Sequence, residues 1–375
     1  GTGGLVSVGT VKAQLLYEIS SPAYLNPDVI AHFDTMSIEQ QGDDRVYVSG
    51  CRGSSPPATH KVCINTAGGF RNSMEMLLTG LDIEEKAEMF TDTLFQSVGG
   101  QEQFDDVTIQ LIRNDKEDPK TNEEAYARLR INVKSKDSAL VGRIFSAKVI
   151  ELALASFPGF GSSSAGAGGA YISYWPALVD SKHIIETVHM DGKSIDVRPT
   201  NQLNLEAIYY QKMPVKIPEY PQGETIRIPF GRLFGTRSGD KGGNANVGIW
   251  ARTPEAFGFL HAFLTVERFQ ALLADTAEFK IERFELPNLH ALNFYIHGIL
   301  GEGVSSSVRI DGQAKTMGEY LRAKIIDVPV EIAKQLTTDI PVINLAKLHT
   351  MGFMYAAIIK ILKDAKDAKA AKTLI

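Results

Sequence analysis

Pro214, Pro218 and Pro221 fall within eight residues of one another, and Gly223 follows. Proline fixes φ and removes a main-chain donor, so neither a helix nor a central strand runs through such a stretch. The stretch reads as the best linker in a chain of 375 residues, with separate units expected on either side of it. That length has room for two or three domains. The division expected from it is a main region over 1–215, a linker over 216–224, a small domain over 225–331 and a helical tail over 332–375.

Periodicity fills in the units. Before the break, helical spacing over Thr10–Ser20, Asp82–Val98 and Ser138–Ser156 alternates with strand patterns. The strands are expected at Arg45–Ser49, Lys61–Asn65, Val107–Arg113, Tyr126–Val133 and Tyr171–Trp175. Asp82 is expected as an N-cap, with Glu84 and Glu85 in the first turn and Gly99-Gly100 as the stop. Asp191-Gly192 between Ile184–His189 and Ser194–Val197 is a strong hairpin signal. The run 161–169 is Gly, Ser and Ala only, and reads as a surface connection or a lid. After the break, Thr225–Pro229 and Asn246–Ala251 read as strands. Thr253-Pro254-Glu255 opens a helix expected to reach Ala274. Phe279–Glu285, Ala291–Gly298 and Val308–Asp311 read as further strands. The fold class is therefore α+β (α/β): a larger mixed region, then a small α+β sandwich of ferredoxin-like type, then a C-terminal helix over Met351–Lys372.

Charge and composition exclude several functions. There are 39 Lys and Arg against 44 Asp and Glu, so the basic excess that nucleic-acid binding requires is missing. No apolar run reaches the ~18–20 residues of a membrane span, and no signal-peptide pattern is read in the opening residues. The expected location is cytoplasmic. Cys51 and Cys63 are too few for a disulfide framework and lack zinc-ligand spacing, so two reduced, mostly buried thiols are expected. No P-loop, HExxH, GxSxG or GxGxxG stands in the right context. Neither metal nor cofactor is expected. The chain opens on Gly1 rather than Met, and reads as a processed product or a fragment. The basic tail, with five lysines against two aspartates over 360–372, reads as a packed helix with a solvated end.

The densest chemistry lies in Arg237-Ser238-Gly239-Asp240-Lys241-Gly242-Gly243-Asn244-Ala245-Asn246, taken as a loop joining two strands. Glycines let main-chain amides approach an anion, and Arg237 and Lys241 can clamp a carboxylate or phosphate. Asp240 suits a general base if desolvated. The bland alternative is a connecting loop that satisfies its own backbone. Asp240, Lys241 and His297 are the candidate catalytic groups. Arg237, Ser238, Gly239, Gly242, Asn244 and Asn246 are the candidate substrate-binding positions. Near His297, Glu302 is a candidate orienter. Tyr17-Glu18 with Tyr24, Asn26 and Asp28 forms a third polar group, for which turn and capping roles suffice.

Gly1-Thr2-Gly3-Gly4, Gln14-Leu15-Leu16-Tyr17-Glu18-Ile19, Tyr24-Leu25-Asn26-Pro27-Asp28 and Leu78-Thr79-Gly80-Leu81-Asp82 resemble the acyclic terpene utilisation (AtuA) family. The Arg237–Gly242 string with Ala245-Asn246-Val247-Gly248 resembles the hallmark of that family's ferredoxin-like domain. The resemblance spans about residues 1–331. The α/β region that precedes the Gly-Thr-Gly-Gly string in the family is not in this sequence, and the tail after about 332 has no counterpart. The resemblance implies catabolism of citronellol- and geraniol-type acids through CoA thioesters. Two functions are then expected. One is a lyase- or hydratase-like enzyme on a branched carboxylate or acyl-CoA. The other is a non-catalytic binding or assembly subunit. A homo-oligomer is expected, with a companion chain as an alternative.

Overall fold

A computed structural model describes residues 3–155, 157–162, 166–197 and 215–335. Helix α1 (Val8–Leu15) opens with a capping box in which Ser7 and Thr10 satisfy each other's amides, the reciprocal arrangement that occupies two orphan donors. Short strands follow: β1 (Ala23–Leu25), β2 (Ile30–His32), β3 (Ser37–Gly42), β4 (Arg45–Ser49) and β5 (Arg52–Ser54). They pair as a β1-β2-β5 sheet and a β3-β4 hairpin.

The main sheet is antiparallel. Its strands are β6 (Thr59–Leu78), β7 (Asp106–Ile112), β8 (Ala127–Ser135), β9 (Phe160–Ser162) and β10 (Gly169–Asp180), in the order β10-β6-β8-β7, with β9 also on β6. Lys61–Asn65 is thus a fraction of a 20-residue strand. Helices α2 (Ile83–Ser97) and α3 (Phe145–Ala155) are the other partners of this layer. Met74, Met76, Leu129 and Ile131 of the sheet share a buried core with Phe90 and Leu94 of α2 and Phe145 of α3. Asp82 sits at the start of α2 but adopts φ +57 and makes no side-chain cap. The helix expected from Ser138 starts there and passes through a π-helical turn, Leu140–Ile144, before α3. β11 (Glu186–Met190) and β12 (Lys193–Val197) form the expected hairpin. Asp191 and Gly192 both take positive φ, 49 and 72, as a type I′ turn requires.

The second unit begins with β13 (Thr225–Pro229), which pairs with β18 (Ile325–Pro329). β14 (Phe234–Lys241), β15 (Asn244–Ala251), β16 (Ile281–Leu286) and β17 (Ala291–Ile296) form an antiparallel sheet in the order β14-β15-β17-β16. The Arg237–Asn246 run is therefore a tight hairpin rather than an open loop. Gly242, at φ +67, holds the first central position of its two-residue turn. The helix after Thr253 is capped by Thr253 with Pro254 at its start, as expected. It breaks near Leu264 into α4 (Pro254–Phe263) and α5 (Val266–Leu272), where Thr265 caps anew. These helices, α6 (Met317–Arg322) and α7 (Val330–Lys334) cover one face of the sheet, giving the ferredoxin-like layering. Val308–Asp311 is not a strand: Asp311 turns the chain by accepting from the amides of Lys315 and Thr316.

The sheet's other face receives the beginning of the chain. Leu16 and Ile19 are buried there with Leu286, Leu289 and Ala291. Gly248 makes the close approach possible, since a Cβ would lie 2.4 Å from Leu16 Cβ. Cys51 and Cys63 are both exposed, which corrects the expectation of buried thiols. The tail helix and residues 198–214 lie outside the described residues.

Candidate functional site

Residues from three distant parts of the chain converge on β14, an edge strand. Gly239 is the first reason. It lies beneath Tyr17 and Glu18, where a Cβ would stand 2.7 Å from Tyr17 Cε2 and 2.9 Å from Glu18 Cγ. Only glycine lets this segment settle so near the strand. Glu18 takes φ +56, and its amide donates to Asn246 Oδ1 at 2.9 Å. Asn246 in turn donates to Leu16 O at 2.7 Å and to Asn293 Oδ1 at 2.8 Å, and Asn293 donates to Ser20 O at 2.6 Å. The two buried amides thus fasten the loop after α1 to the sheet, and each polar end is satisfied, as burial demands.

Lys315 reaches the same place from the turn before α6. Its Nζ donates to Glu18 Oε1 at 2.5 Å, to Asp240 Oδ1 at 3.3 Å and to the Tyr17 hydroxyl. Burial works against the ammonium, but these three partners outweigh it and hold Lys315 above the usual lysine range. Burial likewise pushes Glu18 up, yet the hydrogen bonds of Lys315 and Tyr17, with the charges of Lys315 and Lys241, bring it below the usual carboxylate value. Lys315 Nζ thus lies between the carboxyl groups of Glu18 and Asp240.

Arg237 differs. Its guanidinium lies over the Tyr17 ring at 4.3 Å, a cation–π contact. Among the described residues it has no carboxylate partner. It lines a cavity of about 240 Å³ with Thr236, Ser238, Lys315, Gly318 and Glu319. Thr236 Oγ1 is buried there without a hydrogen bond. Lys241 lies on the same sheet face as Arg237, 5.7 Å from the Tyr24 ring, and is not part of that lining. Burial and then the charge of Lys61 lower its pKa, against the pull of Glu18 and Asp240.

The candidate positions therefore divide. Arg237, Asp240 and Lys241 stand together. Ser238 is buried and its Oγ accepts from Gly318 N at 2.9 Å. Gly239 provides room for Tyr17 and Glu18, and Gly242 makes the turn, with Tyr174 against it. Asn244 bridges the Tyr295 hydroxyl at 2.8 Å and Gly298 N at 2.7 Å. Asn246 holds the loop after α1. His297 is remote from Asp240: it follows β17 and bonds Glu282 Oε2 at 3.0 Å, on β16, the opposite edge strand. Glu302 does not orient it, since its carboxylate accepts from Ser173 Oγ at 2.5 Å. Lys315 was not among the expected residues. Tyr17 and Glu18, for which the sequence suggests turn and capping roles, are the partners of Lys315.

The comparisons with known proteins agree with this architecture. A family model described as acyclic terpene utilisation family protein AtuA matches residues 1–190. A second, described as AtuA ferredoxin-like domain, matches residues 228–327. No curated protein and no solved structure matches the chain. The first model takes in half of the chain and the second follows it in order, so the chain belongs to the acyclic terpene utilisation family AtuA.

Proposed function

We propose that the chain is an enzyme of acyclic terpene utilisation that binds a branched carboxylate, or its CoA thioester, at the β14 edge and transfers a proton in a lyase- or hydratase-like step. The family membership supports the pathway. One observation carries the site: Arg237 lies over the Tyr17 ring at the wall of a small cavity, without a counter-ion among the described residues. A guanidinium held this way is preorganised for an anion, because the ring holds it in place and leaves N–H groups to donate. Lys315 is already neutralised by Glu18 and Asp240, so its role is to position Tyr17. Arg237 takes the anionic group and stabilises charge that develops next to the carbonyl. Lys241, with its lowered pKa, moves the proton, and Asp240 beside it sustains the ammonium form.

The test is a titration of branched aliphatic acids and their CoA thioesters, followed by calorimetry and thermal shift. Arg237→Gln is expected to weaken acid binding by about 1.5–3 kcal/mol, the worth of a hydrogen bond to a charged group. Lys241→Gln is expected to lower kcat at least ~100-fold while acid affinity holds. A wild-type protein that binds none of these acids or thioesters and instead co-purifies with a second chain overturns the proposal, in favour of a binding or assembly subunit.

A further inference from the structure

β6 is paired on both sides over only part of its length. β10 lies along Thr59–Arg71, and β8 lies along Phe70–Leu78 on the opposite edge. From Thr59 to Gly69 the edge of β6 that faces away from β10 therefore has no strand beside it among the described residues. Residues 63–67 of that stretch are all exposed.

The ladder with β10 fixes which residues present their backbone at the open edge. In an antiparallel pair, opposed residues alternate between those that exchange both main-chain bonds and those that turn them outward. Tyr174 N donates to Glu302 O at 2.9 Å, so Tyr174 and its opposite, Asn65, are of the outward kind. Ser181 N donates to Ala58 O at 3.0 Å, as the same alternation requires just past the end of the ladder. Pro176, opposite Cys63, has no N–H to give. Lys61, Cys63 and Asn65 thus direct amide and carbonyl to the open edge.

The other edge of this ribbon is closed. On β10, Tyr174 N is taken by Glu302 O, Ile172 N donates to Ser305 Oγ at 3.0 Å, and Pro176 withholds a donor. Covering loops and proline are the usual means of keeping a strand edge from pairing. β6 has neither over Thr59–Gly69, and the Lys61 ammonium leans over the Tyr174 ring at 5.8 Å.

We propose that β6 pairs antiparallel with β6 of a second copy of the chain about a two-fold axis at Cys63, joining the two ribbons in the order β10-β6-β6-β10. Such an interface is isologous and closed. Side chains select the register. With the axis at Cys63, Lys61 stands opposite Asn65 of the second copy and Val62 opposite Ile64, once on each side. Moved to Lys61, the axis sets lysine against lysine. Moved to Val62 or Ile64, it sets Ile64 against His60 or Val62 against Thr66. Moved to Asn65, it runs the second strand into the end of β8, where Ser135 O lies 3.0 Å from the position of a Cβ on Gly69. Like charges directly opposite destabilise a strand pair, and apolar β-branched pairs stabilise it. Ile64 and its opposite on β10, Trp175, are 44% and 54% exposed on one face. The pairing continues that apolar strip onto Val62 and Ala177 of the second copy. None of this rests on the function proposed above.

Sedimentation velocity of the full chain at micromolar concentration reads the association without any substrate. The wild type is expected to be a dimer. Cys63→Pro removes an amide that β10 does not use, and is expected to give a monomer of unchanged secondary structure. Asn65→Lys, at an exposed position, sets a lysine against Lys61 of the second copy twice, and is expected to raise the dimer dissociation constant about tenfold. Adding Lys61→Asn exchanges the two residues and is expected to restore association. A monomeric wild type overturns the inference, whether the amides of Lys61, Cys63 and Asn65 exchange freely or are protected by another segment of the chain. So does a dimer that Asn65→Lys leaves as tight, or that the exchange of residues does not restore, because the contact then lies elsewhere.

Discussion

Lys12 shows how one side chain sets a term in the energetics of the whole first segment. It lies on α1, only 8% exposed, with no ion pair among the described residues. Burial alone pushes its pKa down to about 8. A lysine whose native pKa lies below its unfolded value stabilises fully only above the unfolded value, near 10.5. Stability is lost as pH falls from there to about 8, and the cost is constant below. Lys12→Met keeps the stem and removes the charge, so at pH ~7 it is expected to stabilise the protein by on the order of 2 kcal/mol. The gain fades as pH rises through the window. Urea midpoints at several pH values check it. A second readout is independent of unfolding: the charge of Lys12 helps to lower the pKa of His290, so the imidazole of the variant is expected to titrate at higher pH by NMR.

At the level of elements, the site exists because one face of the second sheet was left to glycine and asparagine. Gly248→Ala places a Cβ 2.4 Å from Leu16 Cβ and 2.9 Å from Leu16 O. Main chain cannot yield as a side-chain tip does, so the loop after α1 is expected to lift from the sheet, at a cost of about 1–3 kcal/mol. Amide exchange reads this directly: Glu18 N–H, bound to Asn246 Oδ1 at 2.9 Å, is expected to exchange faster, while the core strand β17 does not change. The same contact explains what was legible in the sequence. Elements whose signals are local were readable: β4 and β13 fall on the expected residues, and the Asp191-Gly192 turn and the Thr253-Pro254 cap are as expected. β14 was not, because Arg237–Lys241 has the polar and glycine content of a loop. Its glycine serves a segment more than 200 residues away in sequence. Arg237, Asp240 and Lys241 were legible as a group for their residue types alone. Lys315 was not, since no local pattern marks a lysine that arrives from another turn. Asn244 and Asn246 invited a ligand role by type, yet both ends of each amide serve the fold.

At the scale of the molecule, the contact between the beginning of the chain and the second sheet also concentrates titrating groups, and this gives acid stability a definite shape. His290 stacks on Phe257 at 5.6 Å, and burial first, then the charge of Lys12, hold its pKa below the ordinary 6.5. Above ~6.5 both native and unfolded imidazoles are neutral and the contribution of His290 is complete. As pH falls from 6.5 to the native value, the unfolded chain takes up protons first and stability declines. Glu18 acts in a lower window. Its native pKa is below the ordinary 4.5, so its contribution is present above that value and is lost as pH falls through the native one. The stability profile is therefore expected to descend in two steps, the first beginning near 6.5 and the second near 4.5. His290→Gln is expected to remove the upper step alone. Glu18→Gln is expected to diminish the lower step, which Glu18 shares with Glu285 and other carboxylates held low, and to lower the pKa of Lys315, whose hydrogen bond to Glu18 at 2.5 Å is one of the causes that raise it. Denaturant midpoints across the acid range check both, and a single descent that neither variant alters would mean that this contact is not where the native state meets acid.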